Sequence, residues 1–211
     1  MNFRFFLLSG NGETIGDRLA EQGTHAVDAM SRTLPNLAIA LLLFATPLFA
    51  QTETYYRVEI VLFANNNTSA AAVEFWPEAE YPDLSRAIDL DNPPTGFSSP
   101  DPQSLTLGGI AARLDQSGNY RLIRHISWIQ PGLPESAALP VLMGSSGNVV
   151  GTVTLTLSRY LHLNTDMVFY TAVDGLPVAA RVSDSRRMRS RELHYIDHPL
   201  LGVIAEITPI E

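Results

Sequence analysis

Between Val150 and Leu163 the chain reads VGTVTLTLSRYLHL. Val153, Leu155, Leu157 and Leu161 fall on one side of a two-residue period, and Thr152, Thr154, Thr156 and Ser158 on the other. A strand sends successive side chains to opposite faces, so this alternation predicts a half-buried strand with one packed and one wet face. Asn164 to Asp166 supply turn residues, and MVFYTAV from Met167 is expected to pair back as the second arm of a hairpin.

The rest of the chain fits around that hairpin. YYRVEIVLF, Tyr55 to Phe63, alternates and then becomes apolar on both faces, the pattern of a central strand. From Ala64 to Pro102 no period survives. FWPE at Phe75 to Glu78 and NPPTGFSSPDP at Asn92 to Pro102 read as one long loop excursion rich in Pro and Asn. Leu107, Ile110, Ala111 and Leu114 follow helical spacing, with Ser104 available as N-cap and Gly118 as terminator, which predicts a helix over 104–116. YRLIRHISWIQ, Tyr120 to Gln130, reads as a strand and is followed by a Pro-rich loop. Asp174, Gly175 and Pro177 mark a break, and GVIAEITPI, Gly202 to Ile210, closes as a last strand. The expectation is a single α+β domain with a mainly antiparallel sheet of about six strands and one main helix.

With no cysteine, the chain has no disulfide, no thiolate metal site and no cysteine nucleophile. The formal net charge is −8, which argues against a broad nucleic-acid surface, because phosphate binding needs clustered cations. Every basic residue counted in that balance is arginine. An arginine keeps its charge and offers a planar fork suited to carboxylate or phosphate.

At the front, MSRTLPNLAIALLLFATPLFAQ from Met30 has one basic residue and then an apolar run from Leu37 to Phe49 that stops at Ala50. That is the layout of a cleaved secretory signal peptide over 30–50, too short to persist as a membrane span. Residues 1–29 read as a mis-called upstream start. Residues 51–211 form the expected exported domain, with the loop excursion at about 64–102.

The densest polar chemistry lies in SRRMRSRELHYIDHPLLG, Ser185 to Gly202, where four arginines fall within six residues. Read as one strand, it places Arg187, Arg189 and Arg191 on one side at roughly 7 Å spacing, a cationic rail for a polymeric anion. Pairing of these arginines with acidic neighbours is the competing reading. His194, Asp197 and His198 carry metal-ligand atom types, but their spacing matches no metal motif; they are read as organising the turn into the last strand and, with Arg187, Arg189 and Arg191, as candidate ligand-binding residues. No nucleophile elbow, HExxH or phosphate loop is present, so no catalytic residue, metal or cofactor is assigned. Trp76 and Trp128 read as core or loop anchors rather than sugar platforms.

Three blocks, SRRMRSRELHYIDHPLLGVIAEITP, GTVTLTLSRYLHLNTDM and RLIRHISWIQP, resemble the CsiV family of periplasmic peptidoglycan-binding proteins, in the family's order and over nearly all of residues 51–211. The resemblance implies a small, non-catalytic periplasmic protein of Gram-negative bacteria that binds peptidoglycan and supports wall synthesis. It also implies assistance to the lipoprotein activator of a bifunctional penicillin-binding synthase. A protein–protein adaptor with indirect wall association is the alternative.

Overall fold

The computed structural model describes residues 53–68, 71 and 75–210, all within the compact unit Thr52–Glu211. The preamble over 1–29 and the signal peptide over 30–50 lie outside the described residues. Among the described residues, eight strands and one α-helix follow in the order β1 (Tyr55–Asn65), α1 (Gly108–Gln116), β2 (Tyr120–Pro131), β3 (Val141–Ser146), β4 (Val149–Leu157), β5 (Leu161–Val173), β6 (Leu176–Met188), β7 (Leu193–Ile196) and β8 (Leu201–Ile210). They form two four-stranded antiparallel sheets. The first has the order β2-β1-β8-β7 and the second β3-β4-β5-β6.

β1 is central to the first sheet and buried on both faces, as its sequence requires. Val58, Ile60 and Leu62 join Val153, Leu155, Leu163, Met167 and Phe169 of the second sheet in one core, so the sheets stack as a sandwich. Val61 and Phe63 point the other way and pack with Leu107 and Ala111 of the helical segment, which makes α1 a third layer over the first sheet. Trp128 is fully buried and donates its indole N–H to Gln130 Oε1 at 2.7 Å, while Trp76 donates to the Ala71 carbonyl. Both tryptophans are anchors.

Several expectations are corrected. The sheet has eight strands rather than six, in two layers. β3 was hidden in a short VLMGSS run, and β6 by Pro177 and by its polar end, a composition that an edge strand tolerates. The hairpin turns at Ser158–Tyr160, not at Asn164–Asp166. Leu157 and Leu161 stand directly opposite each other, so a separation of four residues keeps the two-residue period intact and hides the turn. Asn164 to Asp166 remain inside β5 because each has a partner on β6. Ser185 donates to Asn164, Thr165 donates to the Asp184 carbonyl, and Arg181 grips Asp166 with two N–H bonds. The threonine face of β4 is drier than expected, with Thr152 buried between β3 and β5 and Thr156 buried opposite His162 of β5.

The helix begins at Gly108 and its N-cap position is Leu107; Ser104 belongs to a separate 3-10 turn, Pro102–Ser104. Gly118 does follow the helix end, with φ at +71°, where a left-handed residue ends the turn without a Cβ clash. The excursion over 64–102 is pinned to the sandwich. Ser98 pairs with Ile129 along the free edge of β2, and Ile88 with Val141 along that of β3. Phe97 is buried in the core between these two bridges. The segment thus covers two sheet edges that would otherwise template foreign pairing.

Candidate functional site

The arginine segment is not one strand. β6 ends at Met188, Arg189 to Glu192 turn across from the second sheet to the first, and β7 starts at Leu193. Arg191 sits in the turn with φ at +62°, and its N–H donates to the Ile207 carbonyl at 2.8 Å. Arg187, Arg189 and Arg191 therefore do not share a strand face, and a rail with a two-residue repeat does not form. What the fold does is gather the arginines, all exposed, at one end of the second sheet.

Their partners differ. Arg186 forms an ion pair with Asp184 at 3.3 Å and also donates to the Tyr195 carbonyl on β7. Arg189 lies 3.6 Å from Glu192, a solvent-exposed pair that contributes little to stability. Arg187 stands opposite His162 in the ladder, and its guanidinium carbon lies 3.4 Å from the centroid of the Tyr160 ring. Arg159 approaches the same ring at 5.4 Å. Arg159 and Tyr160 belong to the β4–β5 turn, more than twenty residues before the arginine run in sequence. They escape sequence reading because the turn leaves no break in the alternation.

His194 lies within β7, while Asp197 and His198 fall between β7 and β8. His194 Nε2 accepts the Arg189 N–H at 3.1 Å and braces the crossing. Asp197 accepts the Tyr195 hydroxyl at 2.7 Å, and His198 Nδ1 accepts the Leu200 N–H at 3.2 Å while its ring lies against Trp76. Burial, reinforced by the Asp197 carboxylate, pushes the Tyr195 phenol well above its ordinary range. Among the described residues, no cluster of three or more His, Asp or Glu forms a metal-ligand set.

Two further features do not involve the arginine side chains. A groove of about 360 Å³ opens between α1 and β7, floored by Phe63 and Ile204 and walled by Ile110, Leu114, Leu193 and Tyr195. Leu193 and Tyr195 are 56% and 46% exposed at its rim. Gly202 makes the floor possible, because any Cβ there would collide with the Phe63 ring, which stacks toward Tyr195.

The second feature is Glu59, 1% exposed on β1. Its carboxylate accepts the N–H groups of Thr106 and Leu107, each at 2.9 Å, at the start of α1, and it meets His125 Nε2 at 2.8 Å. Burial alone would raise this carboxyl. The hydrogen bonds from Thr106, His125 and Leu107 outweigh burial and hold the pKa below its ordinary value. Glu59 thus supplies the helix cap that Ser104 does not.

No helix among the described residues is long and apolar enough to cross a membrane. No curated protein and no solved structure matches the chain. A family profile does match, over residues 36–210, and it is described as peptidoglycan-binding protein, CsiV. Spanning most of the sequence, that match gives the chain its family: it belongs to the CsiV family of peptidoglycan-binding proteins.

Proposed function

We propose that this protein is a periplasmic, non-catalytic peptidoglycan-binding protein that supports wall synthesis and cell shape. On this reading it acts through the lipoprotein activator of a bifunctional penicillin-binding synthase. Family membership supports the wall as ligand, and one structural observation carries the reading to a surface. Arg159, Arg186, Arg187, Arg189 and Arg191 are exposed at one end of a molecule whose overall charge is −8. Peptidoglycan stem peptides bear free carboxylates, and guanidinium forks bind carboxylates through paired, charge-assisted hydrogen bonds.

The measurement is co-sedimentation of purified protein with isolated sacculi over a series of salt concentrations. Retention at low salt that falls as salt rises is the expected result, because exposed charges separated by more than about 8 Å are screened at physiological ionic strength. Absence of retention at low salt overturns the reading.

The groove between α1 and β7 favours a second reading, a protein adaptor. Its lining is mostly apolar, with His194, Tyr120 and Tyr195 bearing its polar side-chain groups, so it fits aliphatic or aromatic anchors of a protein partner. Retention on sacculi only after the lipoprotein activator has been added would favour the adaptor.

A further inference from the structure

We infer that Arg159, Tyr160 and Arg187 form a carboxylate clamp, and that the stem peptide rather than the glycan strand is what this protein grips in the wall. This rests on the peptidoglycan-binding reading and assigns that reading a ligand group and three residues.

The clamp is built by two separate parts of the chain. The β4–β5 hairpin turns tightly, with the Ser158 N–H donating to the Tyr160 carbonyl at 3.1 Å, and this turn presents Arg159 and Tyr160 at the tip. β6 runs alongside β5 with Arg187 opposite His162, two residues beyond Tyr160, which brings the Arg187 side chain over the tyrosine ring. The rigid ladder on both sides fixes the spacing.

Arg187 and Arg159 differ from Arg186 and Arg189 in what holds them. Arg186 and Arg189 each have a carboxylate within ion-pair distance, as does Arg181 further along β6. Among the described residues, Arg159 and Arg187 form no salt bridge. The contact that holds each of them is the face of Tyr160. Stacking uses the flat face of a guanidinium and leaves the N–H donors along its edge available. In an acidic protein, two cations that face an aromatic ring instead of a carboxylate are placed to receive a carboxylate from outside. The ring restricts their rotamers in advance, so less entropy is lost when the anion arrives.

The same geometry decides between glycan and peptide. A sugar stacks on an open aromatic face. Arg187 lies 3.4 Å from the Tyr160 centroid and covers one face, with Arg159 5.4 Å from the same centroid. Stacking a pyranose on the face that Arg187 covers requires displacing that cation, whereas a carboxylate approaches the guanidinium edges without disturbing the stack.

The test uses the protein with intact sacculi, with sacculi whose carboxylates have been converted to amides, and with a soluble disaccharide-tetrapeptide as competitor. Inorganic phosphate serves as a second competitor. Wild-type protein is expected to lose about tenfold in affinity on amidated sacculi, the loss of one good charge-assisted contact. Arg159→Gln with Arg187→Gln is expected to lose a similar factor on untreated sacculi and to be indifferent to amidation. Tyr160→Leu, which keeps both charges and removes the platform, is expected to lose less. Unchanged thermal midpoints confirm that these exposed variants fold.

Wild-type protein that ignores sacculi overturns the wall reading and the clamp together. Protein that binds sacculi but is indifferent to amidation, or to the double substitution, overturns the clamp and leaves the wall reading in place. Competition by phosphate as strong as that by the tetrapeptide overturns the stem-peptide assignment in favour of a general oxyanion site.

Discussion

Glu59 and Glu206 stand directly opposite each other in the β1–β8 ladder, yet one is sealed from solvent and the other is half-buried. Like charges so placed destabilise a sheet unless something answers them. Glu59 is answered by the first N–H groups of the helical segment and by His125, and the Thr106 hydroxyl lies within hydrogen-bond distance of both carboxylates. Glu59→Ala removes the acceptor and leaves those donors facing a cavity, so a loss of about 3 kcal/mol is expected in denaturant unfolding. The pH dependence has a definite sign. The folded pKa of Glu59 lies below the unfolded value of 4.5, so its contribution is complete above that value and is lost as pH falls through the folded pKa. Stability of the wild type should therefore drop below about pH 4.5 more steeply than that of Glu59→Gln, measured by unfolding at stepped pH. An equal slope in both proteins would remove Glu59 as the titrating group.

At the scale of elements, the bridging segment between β1 and α1 shows what periodicity can and cannot reveal. It has no repeating pattern because its residues serve different neighbours one by one: Ile88 pairs with β3, Phe97 fills the core, and Ser98 pairs with β2. The alternation of β1, β2 and β8 is legible in the sequence because each lies along one face or two of a continuous core. The β4–β5 turn is not legible, since its spacing preserves the period, nor are the polar residues of β5, whose partners lie twenty or so residues away on β6. The site divides in the same way. The arginine run is conspicuous in sequence, but its division by a turn and the arrival of Arg159 and Tyr160 depend on strand register. Phe97→Ala should cost about 3 kcal/mol as a core truncation. It should also loosen the cover over the edges of β2 and β3, so an increase in light scattering on mild heating is expected along with the lower unfolding midpoint. A stable variant that stays monomeric would show that the bridges hold without their anchor.

The whole molecule is assembled unevenly. The second sheet is a meander in which every strand pairs with its neighbour in sequence, from β3 to β6, so it forms through local hairpins. In the first sheet, β1 and β8 come from opposite ends of the described chain and lie together at the centre, with Tyr55 opposite Ile210 and Ala64 opposite Leu201. That pairing closes a loop of well over a hundred residues and must be made late, because its entropy cost is met before its contacts form. Until β8 arrives, one face of the second sheet lacks Val203, Ala205 and Ile207, all fully buried in the finished core, and β1 has an open edge. A chain ending at Leu200 should accordingly show no cooperative thermal transition in calorimetry, in contrast to the single transition expected of the wild type, and expose apolar surface that binds a hydrophobic dye. It should nonetheless retain strand signal in far-ultraviolet dichroism from the β3–β6 meander. A cooperative transition near the wild-type midpoint in that shortened chain would mean that the meander carries the fold alone and that β8 merely decorates it. Loss of all strand signal would mean that the two sheets depend on each other from the start.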